Sequence, residues 1–203
     1  MNVLLLTRHA HAASNEGDVV SSAPPGEGLS AQGISEARGL GDLLASEPID
    51  LGVSSRLLRA QETLELALAG RDVPRQVEPL LDEIGFGAFE GGPLQAYRAW
   101  AWAHGPGDPC PGDGETRVDA AARIAHALEK LLAQPEETIL AVSHALLLRY
   151  VLDAADGSPP GRRVLHVPHA APYRLGRASV VRAAETLRAW TARPGFADTP
   201  FGG

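Results

Sequence analysis

The sequence predicts an α/β protein with three layers, α/β/α, around a mostly parallel central sheet. Three observations carry that expectation. "NVLLL" at residues 2–6 is a short, uninterrupted apolar run, the pattern of a strand buried on both faces. Longer stretches place apolar residues every three or four positions, the period of a helix packed on one side. The two kinds of segment alternate, which favours crossover connections and hence parallel strands with helices on both faces.

Each element follows in order. After the first strand comes a polar, Gly/Pro-rich loop, "SNEGDVVSSAPPGEG". "LSAQGISEARGLGDLLAS" sets Ile34, Ala37, Leu40 and Leu44 at helical spacing, with Ser30 as its N-cap. "DLGVSS" reads as a second strand, "RLLRAQETLELALA" as a second helix and "RQVEPL" as a weak third strand. "EIGFGAFEGGP" is a glycine-rich loop, "LQAYRAWAWAH" a short helix and "GPGDPCPGDGE" another loop. A long helix is expected from Glu115 to Leu132, with Val118, Ala122, Ala125, Leu128 and Leu132 on its apolar stripe. "ETILAVSH" is a strand ending in histidine, followed by a buried helix, "ALLLRYVLDAA". "RRVLHVPHAAPYRLGRASVVRAA" reads as two or three short strands. Residues 1–190 are expected to form one domain, with 83–114 inserted over the site and 191–203 a loose tail.

Composition removes several function classes. The 25 acidic residues outnumber the 18 Lys and Arg, and no basic run occurs, so no nucleic-acid partner is expected. Lys130 is the only lysine, so an arginine is not functional merely for being one. Cys110 stands alone, which rules out an internal disulfide and a cysteine zinc site. The run from Val3 to Leu6 is too short for a signal segment, and no stretch reaches membrane-spanning length. The expectation is a cytoplasmic protein with no membrane association. Its oligomeric state is left open, a homodimer being one option.

Ligands in open α/β sheets bind beyond the carboxyl ends of the strands. Three expected strand ends carry polar groups: Thr7, Arg8 and His9; Ser54 and Ser55, then Arg56 and Arg59; Ser143 and His144. Glu83 opens the glycine-rich loop. Phosphoryl transfer calls for such a set. Arginine's planar fork meets two phosphate oxygens, a neutral histidine can attack phosphorus, and a carboxylic acid can protonate the leaving alcohol. The His9-x-His11 pair also leaves a metal-dependent hydrolase open, although the chain lacks the length and the eight repeats of the barrels that begin this way.

Six segments in order resemble the histidine phosphatase superfamily, the group that includes cofactor-dependent phosphoglycerate mutases. They are "LLLTRHA", "LSAQGISEA", "SSRLLRAQETL", "LDEIGFGAFEG", "GDGETRVDAAARI" and "AVSHALLLR", together spanning most of residues 3–183. The resemblance implies a phosphoglycerate mutase-like fold and no metal or other cofactor. It also implies that His9 is the nucleophile that becomes phosphohistidine and that Glu83 is the proton donor and later the base for water. Arg8, Asn15, Arg59 and His144 then line the phosphate pocket, with His144 also catalytic.

Departures mark where specificity is open. Ala10 and Ala145 stand where the family commonly has glycine, and His11 and Ala12 where it has an acidic or amide residue and a Ser/Thr hydroxyl. His11 is expected either to contact phosphate or substrate, or only to fill the rim. Arg56 divides between surface and rim. His104, His126, His166 and His169 read as structural or surface residues, and Trp100 and Trp102 as packing. "IGFGAFEGG" is the phosphatase-like continuation, and the inserted segment holds one arginine, Arg98. The reading is therefore a phosphomonoester hydrolase acting on a small phosphorylated metabolite. Mutase-type transfer and a non-catalytic phosphate-binding module are the alternatives.

Overall fold

The computed structural model describes residues 1–196. Its sheet holds five strands: β1 (Val3–Arg8), β2 (Leu51–Ser54), β3 (Arg75–Val77), β4 (Thr138–Ser143) and β5 (Pro172–Gly176), in the spatial order β3-β2-β4-β1-β5. β1 and β2 both run parallel to β4, and β3 runs parallel to β2. Only β5 is antiparallel, against β1. The helices are α1 (Ala13–Glu16), α2 (Ala31–Leu43), α3 (Leu58–Ala67), α4 (Leu94–Ala103), α5 (Arg117–Ala133), α6 (Ala145–Ala155) and α7 (Arg177–Ala192).

Strand periodicity builds the three layers. Leu5, Leu140 and Val142 face α2 and α3, where they meet Ala37, Leu40, Ala60 and Leu64. Leu4, Leu6, Val53, Ile139 and Ala141 face the other way, onto Ile124 and Leu128 of α5, Leu147 and Val151 of α6, and Val180 and Leu187 of α7. With both faces covered, β4 is buried throughout, as an uninterrupted apolar run requires. A fully buried leucine such as Leu4 contributes about 2–3 kcal/mol of transfer free energy.

Three expectations need correcting. Ile34 does not belong to the buried stripe of α2; it is 37% exposed, and the inward residues are Gly33, Ala37 and Leu40, with Leu44 just beyond. On α5, Ala122 faces solvent, and the stripe runs through Ala121, Ile124, Ala125, Leu128 and Leu131. In a segment so rich in alanine, small residues lie on every face and the larger Ile124, Leu128 and Leu131 set the rotation. The expected C-terminal strands reduce to one, β5, because "ASVVRAA" belongs to α7. Its Val180–Val181 pair favours a strand locally, but Val180, Ala183, Ala184, Leu187 and Trp190 form a helical stripe buried against α5 and α6. Tertiary burial outweighs a propensity worth a few tenths of a kcal/mol per residue, on the order of the spread between helix formers.

The segment expected to be a loose tail begins inside α7, and Trp190 Nε1 donates to Gly195 O at 2.7 Å. Phe196 packs beside Trp190. Residues 197–203 lie outside the described residues. No helix among the described residues is long and apolar enough to cross a membrane.

Candidate active site

β1 and β4 lie side by side, and their carboxyl ends deliver Arg8–His9 and Ser143–His144 to one crevice. The connections reach it from opposite faces, α2 and α3 on one and α5 and α6 on the other, which leaves a crevice between them. A cavity of about 160 Å³ opens there. Arg8, His9, Asn15, Arg59 and Glu83 all line it.

His9 is held in one orientation. Its backbone N–H continues the ladder to Ser143 O at 2.9 Å. Its Nδ1 lies 2.8 Å from Ala10 O, which can only accept, so Nδ1 carries the proton. Arg59 Nε, which can only donate, lies 3.1 Å from His9 Nε2. The lone pair of His9 is therefore on Nε2, facing the arginine. Burial, then Arg59, His144 and Arg8, hold the His9 pKa well below the usual imidazole range, so the ring is neutral at pH 7.

Arg59 stands on the first turn of α3 and is 3% exposed. It does not pair with the carboxylates of its own helix: Glu62 caps Leu29 N–H at 2.7 Å and Glu65 pairs with Arg75. Instead its Nη2 donates to Ser21 O at 2.8 Å and to His144 Nδ1 at 3.3 Å. Its Nη1 is buried with no partner in the protein. Arg8 donates from Nη1 to Val167 O at 3.0 Å, and its Nε is likewise buried and unpartnered. Burial lowers the pKa of both guanidiniums, with Glu83 the largest opposing influence. A buried and a half-buried cation, each with an idle buried N–H and both lining one cavity, suit an oxyanion.

His144 is fully buried behind Arg59, at the N-cap of α6. Because Arg59 donates to Nδ1, the proton sits on Nε2, 2.8 Å from Ser55 Oγ. Burial and then Arg59 and Arg8 keep its pKa well below the imidazole range. Asn15 sits on α1, its Oδ1 accepting from Ala12 N–H at 2.9 Å, which leaves its amide nitrogen for the cavity.

Glu83 enters from the opposite side. Burial raises its carboxyl pKa, while the Ile84 N–H, Arg59, Arg8 and Arg123 oppose the rise. The loop around it is held by side chains. Arg123 donates to Leu80 O and Asp82 O, both at 2.9 Å, and to Glu83 O at 3.4 Å. Arg56 grips Asp82 through its backbone N–H and Nε, at 2.8 and 2.7 Å, which accounts for Arg56 as a support and not a cavity residue.

His11 is not brought to the cavity. Its ring Nδ1 lies 2.9 Å from Ser30 Oγ, and its backbone N–H donates to Glu36 Oε2 at 2.8 Å. It anchors the start of α2, which approaches so closely that a Cβ on Gly33 would fall 1.9 Å from His11 O. The two rings of the His-x-His pair thus turn to different partners. Among the described residues, no three His, Cys, Asp or Glu side chains are grouped as a metal site.

Three segments bring residues that sequence reasoning did not assign to the site, although it expected 83–114 to lie over it. The loop after α1 folds across the site, so Val19, Val20 and Ser21 line the cavity. Gly91 N–H donates to Val20 O and Val20 N–H to Gly92 O, tying that loop to the inserted segment. From the insertion, Phe86, Leu94, Tyr97, Arg98 and Trp102 form a wall, so Trp102 lines the cavity as well as packing. Opposite them stand Val164, Leu165, His166 and Val167, where His166 had read only as structural or surface. His169 proves to touch the backbone of His9: its Nδ1 donates to His9 O at 2.8 Å. No local motif signals any of these, because they meet the site only through the fold.

The family model of the histidine phosphatase superfamily, branch 1, matches residues 4–191. The chain belongs to this superfamily. It is 32% identical over 167 residues to the adenosylcobalamin/alpha-ribazole phosphatase of Escherichia coli K12, covering 77% of this chain and 80% of that one. The 2,3-bisphosphoglycerate-dependent phosphoglycerate mutase of Brucella ovis is 30% identical over 207 residues, covering 92% and 98%. Among solved structures, a putative alpha-ribazole-5'-P phosphatase from Escherichia coli K-12 superposes with a TM-score of 0.75 at 29% identity, covering 85% of this chain and 89% of that one. The phosphoglycerate mutase-like fold expected from the sequence is the fold observed.

Proposed function

We propose that this superfamily member hydrolyses the phosphomonoester of a small metabolite, passing the phosphoryl group through His9. The chain is a phosphoric monoester hydrolase. The observation that carries the residue roles is the state of His9: neutral, with its Nε2 lone pair facing Arg59, in a cavity where Arg59 and Arg8 both keep idle donors.

A phosphoryl group entering the cavity takes the Arg8 and Arg59 N–H groups as its oxygen partners. Arg59 Nε then turns from His9 to the substrate and frees the lone pair. His9 Nε2 forms a bond to phosphorus as the P–O bond to the alcohol breaks. Glu83 protonates the departing oxygen, which its raised pKa favours. Water then attacks the phosphohistidine, Glu83 takes its proton, and inorganic phosphate leaves with His9 restored. An arriving dianion also offsets the Arg59 and Arg8 charges that, after burial, hold the His144 pKa down.

The alcohol part of the substrate meets an apolar wall. Ile84, Phe86, Leu94, Trp102, Val164 and Leu165 surround it, and Arg98 is the one cation supplied by the inserted segment. Tyr97, Arg98, Arg117 and His166 line the same cavity, and the whole favours a leaving group less charged than a bisphosphate, and hydrolysis over mutase-type transfer.

A screen of phosphomonoesters, with inorganic phosphate as the readout, tests the reading. His9→Ala is expected to fall to background, a loss of about 10⁵-fold or more for a nucleophile. Wild type quenched during turnover should carry acid-labile phosphate on His9, and the variant none. Transfer between phosphoglycerates without phosphate release would return the mutase. Absence of turnover on every ester would leave the binding module.

A further inference from the structure

β1 ends at Arg8, yet its catalytic content lies in Arg8 and His9. β5 begins at Pro172, opposite Thr7, so its ladder stops short of Arg8 and His9. The carbonyls of Arg8 and His9 need other donors, since an unsatisfied buried carbonyl costs about 1–3 kcal/mol. The segment ahead of β5 supplies them. Ala170 N–H donates to Arg8 O at 3.1 Å. His169 Nδ1 donates to His9 O at 2.8 Å. From the same segment, Val167 O receives Arg8 Nη1 at 3.0 Å.

His169 is also packed where it can act on the nucleophile. Its ring centroid lies 5.4 Å from that of His9 and 5.5 Å from that of His11. Ala170 takes a left-handed backbone, φ +47°, which turns the chain so that the His169 side chain and the Ala170 amide reach consecutive carbonyls of β1. The His169 side chain thus supplies a donor beyond the end of the β5 ladder.

We propose that His169 is a positioning residue for the phosphoryl-transfer step, fixing the His9 backbone carbonyl through its Nδ1–H. The inference rests on the hydrolase reading above. It assigns no contact between His169 and substrate. Attack geometry is sensitive to small displacements, a shift of about 1 Å costing on the order of 10²-fold in rate.

The two ring nitrogens make the role testable. An asparagine amide places its N–H where Nδ1 stands; a glutamine amide places it nearer Nε2. Wild type, His169→Ala, His169→Asn and His169→Gln are compared on one ester for kcat and KM, for the rate of acid-labile phosphate formation on His9, and for thermal unfolding. The expected result is a fall in kcat of about 10–10²-fold for Ala and Gln, a recovery to within about threefold for Asn, and KM nearly constant throughout. A residue that only fills space would be replaced as well by Gln as by Asn, so equal kcat for those two overturns the proposal. So does an Ala variant that folds and keeps wild-type kcat. Should the Ala variant fail to fold, the Asn–Gln contrast decides alone. Absence of turnover in the wild type overturns the hydrolase reading itself, and the role of His169 with it.

Discussion

His9 and Glu83 face one cavity but are held by different means. His9 extends a parallel strand, and its neighbours in the ladder fix it: Ser143 O takes its N–H, and its own ring is locked on Ala10 O. Glu83 sits in a loop with no ladder, and the side chains of Arg56, Arg123 and Glu115 supply the restraint. The side of the proposed nucleophile is thus held mainly by backbone, with the His169 and Thr63 side chains added, and that of the proposed acid mainly by charge. Backbone support is cooperative with the whole sheet, whereas charge support can be removed one residue at a time.

After the loss of His9 itself, the largest effect is expected at the proposed acid. Glu83→Gln should lower kcat by about 10²–10⁴-fold on an alkyl phosphate, whose leaving group needs a proton, and much less on p-nitrophenyl phosphate. Equal losses on the two esters would mean that Glu83 supports the loop without donating a proton.

Next comes Arg123→Ala, which leaves every catalytic group in place but frees the Glu83 loop. A loss of about 10–10²-fold in kcat is expected. Arg123 also depresses the Glu83 pKa, so its removal lets that pKa rise further. The limb of the pH–rate profile governed by the acid should then move to higher pH. An unmoved limb would show that the two sides are not held differently in the way described.

The strand-held side should reveal itself in acid stability. His9 and His144 have folded pKa values well below 6.5, burial being the main cause. Below pH 6.5 the unfolded chain binds protons that the folded chain refuses, so stability falls with falling pH. Each such histidine lowers the folded-to-unfolded ratio by about tenfold per pH unit in that range. Urea midpoints measured from pH 7.5 down to 5 should fall, and His144→Gln should flatten the fall. Midpoints that rise toward pH 5 would contradict neutral histidines.

The smallest effect belongs to His11. Its ring is on Ser30 and outside the cavity lining, so His11→Ala should leave KM within about twofold and cost roughly 1 kcal/mol through the start of α2, seen as a Tm lowered by a few degrees. A KM raised tenfold would return His11 to the substrate.

The same contrast explains what could be read in advance. Strand-end residues are legible because an apolar run ending in Arg8–His9, or in Ser143–His144, announces both the element and the place where it stops. Ser30 as an N-cap is legible for the same local reason, its Oγ accepting from Gly33 N–H at 3.1 Å. The supports are not. Arg123 lies 40 positions from Glu83, and His169 160 positions from His9, so nothing in either neighbourhood marks the partnership. The His-x-His pair misled in the opposite direction: two residues close in sequence turn their rings to unrelated partners.

One closure in the fold has a longer reach. The segment after Glu83 departs and returns at one clasp: Glu115 N–H donates to Gly85 O at 2.9 Å, and Gly85 N–H to Glu115 Oε2 at 3.2 Å. Between them lies a cassette, including the turn at Gly87 and the helix bearing Tyr97 and Trp102, which further bonds tie to the loop after α1 and to Arg162. Its length and sequence can drift at small cost in closure entropy while the clasp and the phosphate cradle stay as they are. Such a design separates inheritance of the reaction from inheritance of the substrate. New alcohols can be tried by replacing the cassette, and the chemistry at His9 need not be discovered again.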